Sequence, residues 1–254
     1  MIAGLSTGIG SLIALIAKHT NTKFLCASLG FSAGVMLYVS FMDIIPHAKV
    51  ELIDYFGEKT GMLSMVLAFF GGVGLITLID LLIPLKNNPH ELQGVEDMEE
   101  KRGNKSLHRA GILVALSLAL HNFPEGIVTF TTAIYDISVA IPVIVAIAIH
   151  NIPEGIAVSV PIYHATGNRR KAFWLSLMSG LTEPLGALTA YLFLIPFWSS
   201  AMSGIIMSAV AGIMVYISLD ELLPAAEKYG KHHISISGLI AGMAFMAASL
   251  FIFM

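Results

Sequence analysis

Apolar residues gather along this chain in eight long runs, roughly 2–17, 24–47, 62–85, 110–132, 139–162, 172–195, 201–225 and 234–254. A helix needs about 20 apolar residues to cross a hydrocarbon core of roughly 30 Å. Each run therefore predicts a membrane-spanning α-helix, the first being short. The connections are brief except for 86–109, KNNPHELQGVEDMEEKRGNKSLHR, which is polar and dense in both charge signs. It reads as a partly disordered linker. The expected architecture is a single all-α, polytopic membrane domain over 1–254 with eight transmembrane helices.

Composition agrees. The 254 residues are 56% hydrophobic and only 12% charged, against about 25% charged in an ordinary soluble domain. The net charge of −3 says nothing about nucleic acid, and the chain has no basic patch of the kind that such binding needs. The single cysteine, Cys26, excludes an internal disulfide and a multi-thiolate metal site. The N-terminal stretch starts apolar without the charged region and cleavage site of a secretory signal, and reads as a retained first span.

Basic residues set the orientation. Twelve of the fourteen Lys and Arg fall in the loops near 18–23, 86–109, 163–171 and 227–233, and only Lys49 and Lys59 lie on the other side. The long loop is then cytoplasmic and both termini face outward, across a plasma membrane. The outer loop, 49–60, carries Glu51, Asp54 and Glu58, a mildly acidic mouth.

The chain repeats itself. FSAGVMLYVSFMDIIPHA (31–48) returns as AVAGIMVYISLDELLPAA (209–226), with Ala33, Gly34, Met36, Tyr38, Ser40, Pro46 and Ala48 recurring 178 positions later. HNFPEG at 121 returns as HNIPEG at 150. Both pairs lie on spans that run in opposite directions. The pattern predicts a 3+2+3 inverted repeat, the arrangement that puts a transporter's site near the midplane.

His121 and His150 each lie eleven residues into their spans, and Glu183 of MSGLTEPLGALTA lies as deep in span six. Ionisable residues at that depth mark function by default. His121 and Glu125 are four apart, and Asn122 and Glu125 three apart, so one helix face carries all of them. His150, Asn151 and Glu154 repeat the set. Two carboxylates brought together repel unless a proton or cation lies between them. A divalent metal satisfies the pair, and shared glutamates bridge two metal positions. Pro124 and Pro153 remove backbone donors, which a membrane helix tolerates where the freed backbone lines a cavity. Imidazole and carboxylate without thiolate suit Zn²⁺ and Fe²⁺ rather than Cu⁺, with Mn²⁺, Co²⁺ and Cd²⁺ also compatible.

HNFPEG and HNIPEG on adjacent spans, SGLTEPLGA on the next, DELLPAA at the end of the seventh and NPHELQGVEDMEE in the linker resemble the ZIP family of divalent metal transporters, most of all its bacterial zinc-uptake branch. The resemblance covers nearly the whole chain. It implies eight spans, outward termini and a binuclear centre. His121, Glu125, His150 and Glu154 would form a zinc-type site. Asn122, Glu125, Asn151, Glu154 and Glu183 would form a second, iron-associated one. The resemblance further implies inward metal transport, a homodimer, and movement of spans 1, 4, 5 and 6 against the rest.

The expected function is uptake of zinc and other divalent cations, with Zn²⁺ and Fe²⁺ as cargo. Two alternatives stand beside it. One is an intramembrane hydrolase using a metal-bound water, although the chain has no HExxH motif. The other is a cation/proton antiporter that exports metal.

Overall fold

A computed structural model describes residues 1–16, 22–82, 119, 122–134, 137–229 and 232–253. The expectations placed on His121 and on the 86–109 linker lie outside these residues. Every element among the described residues is helical. We number them α1 (Ile2–Ile16), α2 (Thr22–Val39, continuing to Phe56), α3 (Glu58–Leu82), α4 (122–134), α5 (Ile137–Thr166), α6 (Arg169–Gly180 and Thr182–Thr189), α7 (Ser200–Ile217, continuing to Tyr229) and α8 (His232–Phe253).

Four stretches are long and apolar enough to cross a bilayer, namely Cys26–Phe56, Glu58–Ile79, Ser200–Glu227 and His232–Ile252; Ile2–Ile16 and Val143–Ile156 are shorter apolar helices. The outer surface is correspondingly greasy. Phe70 of α3 is 64% exposed and Phe251 of α8 is 80% exposed, a distribution that suits lipid rather than water. The chain is an all-α membrane protein.

Three helices change pitch at prolines. α2, α6 and α7 each contain one π turn, at Ser40–Ile44, Ala190–Leu194 and Ser218–Leu222. In each, the N–H of the next residue (Ile45, Ile195 or Leu223) reaches back five positions to the first carbonyl of the turn, and a proline follows directly: Pro46, Pro196 or Pro224. A proline ring clashes with the carbonyl four residues earlier. In α2 and α7 the wider turn moves that carbonyl aside without ending the helix, whereas α6 closes after its π turn with one 3₁₀ turn, Ile195–Phe197.

Two expectations are corrected. The acidic stretch 49–60 is not a loop, because α2 stays helical to Phe56 and α3 begins at Glu58. Gly57 alone makes the reversal, at φ 80°, a conformation that costs other residues a steric penalty. Span six is not one helix. It stops at Gly180 and restarts at Thr182, since Pro184 cannot donate to the carbonyl of Gly180. By contrast, α5 stays helical through Pro153 from Ile137 to Thr166.

Packing falls into two sets. α1 lies along α5 and α6, whereas α8 lies along α2 and α3 lies along α7. The sets meet at a core containing Leu29, Met36, Val128, Ile156, Val210 and Met214. Where lipid surrounds the bundle, tight packing rather than water exclusion holds such helices together.

Candidate metal centre

Each half of the centre starts from a helix with a glycine at its point of closest approach. A β-carbon on Gly126 of α4 would collide with the carbonyl of Glu183, and one on Gly155 of α5 with the carbonyl of Thr7. Only a residue without a side chain lets these backbones approach so closely. α4 is thereby seated on the second half of α6, and α5 on α1.

The polar side chains in the residues just before each glycine then converge, together with Glu183. Asn122, Glu125, His150, Asn151, Glu154 and Glu183 are all buried. The imidazole of His150 lies between the two carboxylates, its Nε2 3.4 Å from Glu125 Oε1 and 3.9 Å from Glu154 Oε1. The hydroxyl of Ser32 donates to Glu154 Oε1 at 3.4 Å. The amide of Asn151 donates to the carbonyl of Ala3 at 3.1 Å and to Glu183 Oε2 at 3.3 Å. Asn122 donates to the carbonyl of Ser179 at 3.2 Å. Glu183 sits in the first turn of its helical segment, where the partial positive charge of the helix start favours a carboxylate.

Six of the seven expected residues are thus brought together, and His121 lies outside the described residues. Among the described residues, no three His, Cys, Asp or Glu side chains converge on a common ligand position as they stand. The imidazole fills the space between the glutamates instead. The donor set nevertheless fits a dication. The oxygens Asn122 Oδ1 and Asn151 Oδ1 are buried and accept no hydrogen bond among the described residues. A buried amide oxygen without a partner costs about 1–3 kcal/mol, a cost that a bound ion or its water removes.

A collar separates this centre from a vestibule. The vestibule is a cavity of about 200 Å³ lined by Asp43, His47, Glu51, Thr131 and Ser203, among others. A cavity of about 10 Å³ touches Glu125 and His150. Ile44, Val128 and Val143 line both.

The family model described as ZIP Zinc transporter matches residues 85–250. A protein of Streptococcus mutans named zinc transporter ZupT is 57% identical over 252 residues, covering 99% of this chain and 95% of that protein. Proteins of the same name from Clostridium perfringens and Oceanobacillus iheyensis are 53% and 57% identical, over 100% and 98% of this chain and 94% of each relative. This chain belongs to the ZIP family. It stands among transporters and not among enzymes, which removes the hydrolase alternative.

Sequence reasoning missed Ser32, which donates to Glu154 at the centre, and Thr7, whose carbonyl abuts Gly155. Both are small hydroxyl residues on apolar helices, a pattern that close helix packing alone also produces. For Ser32 the sequence carries no distinguishing signal. For Thr7 there is one, an alignment of GLSTGIGSL (4–12) with GLTEPLGAL (180–188) at an offset of 176.

Proposed function

We propose that this ZIP chain carries Zn²⁺ across the plasma membrane into the cytoplasm through a binuclear midplane centre, with Fe²⁺, Mn²⁺, Co²⁺ and Cd²⁺ as further cargo. His121, Glu125, His150 and Glu154 hold the first metal. Asn122, Glu125, Asn151, Glu154 and Glu183 hold the second. The observation that carries the reading is His150, a buried imidazole within 4 Å of two buried glutamates from different helices. When metal enters, the imidazole and carboxylates exchange their contacts with one another for contacts with the ion. Conduction needs binding strong enough to strip water and weak enough to release, and carboxylates that trade metal for protons meet both demands.

The same proposal includes eight crossings built as a 3+2+3 inverted repeat within a single domain over 1–254, with both termini outside. The π turns at Ser40–Ile44 and Ser218–Leu222 support it, being 178 positions apart, the offset of the sequence repeat. The paired asparagines support it too: Ala3 and Ser179, whose carbonyls receive the two amides, are 176 positions apart. In this orientation the vestibule faces outward, and Asp43 and Glu51 attract cations to its mouth.

Uptake of Zn²⁺ into proteoliposomes tests the reading. Glu125→Ala and Glu154→Ala are each expected to abolish uptake while the purified proteins remain folded. Wild-type uptake in both variants would end the proposal. Sealed, oriented vesicles with and without a pH gradient decide between import and proton-coupled export.

A further inference from the structure

The offset of 176 that relates Ala3 to Ser179 also sets Thr7 opposite Glu183. The backbone follows the same correspondence. Gly155 abuts the carbonyl of Thr7 as Gly126 abuts that of Glu183. Where α6 carries a carboxylate at this position, α1 carries a hydroxyl.

That hydroxyl is unusual in its surroundings. Thr7 is fully buried, and its Oγ1 has no hydrogen-bond partner among the described residues. A helical threonine ordinarily donates to the carbonyl three or four residues back. Its neighbour Ser6 does so, to Ile2. For Thr7 the carbonyl four residues back is Ala3, and that one is held by Asn151. The side chain is pressed toward α6 instead: a β-carbon on Gly180 would lie 2.7 Å from Thr7 Oγ1. Gly180 adjoins Ser179, whose carbonyl holds the amide of Asn122. Two buried oxygens, Thr7 Oγ1 and Asn122 Oδ1, therefore flank the Ser179–Gly180 backbone, and neither has a hydrogen-bond partner among the described residues. Orphaned groups of this kind call for an explanation.

We propose that Thr7 is the neutral counterpart of Glu183 in the metal centre, and that its hydroxyl, from α1, joins the amide oxygen of Asn122, from α4, at the second metal position, coordinating the ion directly or through one bound water. The inference rests on the binuclear reading above. Hydroxyl, amide and carboxylate oxygens favour cations such as Mn²⁺ over those that seek imidazole. A neutral group here leaves three carboxylates, Glu125, Glu154 and Glu183, facing two dications. A fourth would hold the cargo more firmly and slow its release.

The experiment titrates purified full-length protein with Zn²⁺ and with Mn²⁺, following bound Mn²⁺ by electron paramagnetic resonance. Thr7→Val keeps the shape of the side chain and removes the hydroxyl. It is expected to bind the first Zn²⁺ as wild type does and Mn²⁺ about 10-fold more weakly, in line with losses on removing a group beside a metal ligand. Thr7→Ser is expected to restore Mn²⁺ binding. Wild-type Mn²⁺ affinity in folded Thr7→Val overturns the proposal. If Thr7→Val does not fold, Thr7→Asp in a Glu183→Thr background supplies the answer. Recovery of the Mn²⁺ binding that Glu183→Thr alone loses supports the inference, and no recovery overturns it. Glu154→Ala runs alongside. Should it too bind both metals normally, the binuclear reading has failed, and not the role of Thr7 alone.

Discussion

The two ends of the Asn122 side chain stand in different surroundings. Its amide nitrogen holds the carbonyl of Ser179, and its amide oxygen has no partner among the described residues. Asn122→Asp keeps an oxygen for metal, adds a charge and loses the donor. The variant is expected to retain metal longer and to change the Fe²⁺-to-Zn²⁺ preference by about 10-fold, the size of effect seen when groups around a metal ligand are altered. Competition between the two ions in uptake assays measures it, and an unchanged ratio refutes it. The convergence of Asn122, Glu125, His150, Asn151, Glu154 and Glu183 was legible in the sequence because charged and amide side chains are conspicuous in apolar runs. Ser32 was not, since a serine inside a membrane helix reads equally well as packing. What distinguishes it is the partner it donates to, Glu154, and only the fold brings α2 to that residue.

At the scale of the helices, the approach of α4 to α6 depends on one missing side chain. Gly126→Ala would drive a methyl group into the carbonyl of Glu183. Overpacking of this sort costs about 1–3 kcal/mol, and here it also displaces Glu183. We expect a lower thermal unfolding temperature together with a loss of uptake. Gly74→Ala serves as the control: nothing lies within 4 Å of that position, so stability and uptake should both be kept. The four stretches long and apolar enough to cross a bilayer were legible because lipid demands long apolar runs. The internal details of the spans were not. Prolines read from sequence promise disturbance, but they do not say which kind. Pro153 leaves α5 helical, Pro184 follows a break, and Pro46, Pro196 and Pro224 each follow a π turn. The choice depends on what receives the displaced carbonyl, which is a matter of neighbouring helices.

For the whole molecule, the collar of Ile44, Val128 and Val143 stands between the vestibule and the centre. Apolar constrictions resist ions by excluding water. Val143→Thr, which wets the ring at nearly constant side-chain volume, is expected to raise the initial rate of Zn²⁺ influx into proteoliposomes several-fold at unchanged metal preference. An unaltered rate would show that passage is not limited there. This arrangement was illegible in the sequence, because three aliphatic residues from three helices carry no pattern linking them.

The asparagine clamps have a mechanical corollary. Asn151 ties α5 to the main chain of α1, and Asn122 ties α4 to the main chain of α6. Backbone gripped in this way cannot slip by a fraction of a turn without breaking a buried bond. Toward α2 the centre is joined by something softer, the hydroxyl of Ser32 on Glu154 at 3.4 Å and interdigitated aliphatic side chains. On that side the centre has no clamp on backbone, so sliding between the two packed sets would exchange side-chain contacts there before it broke either asparagine bond.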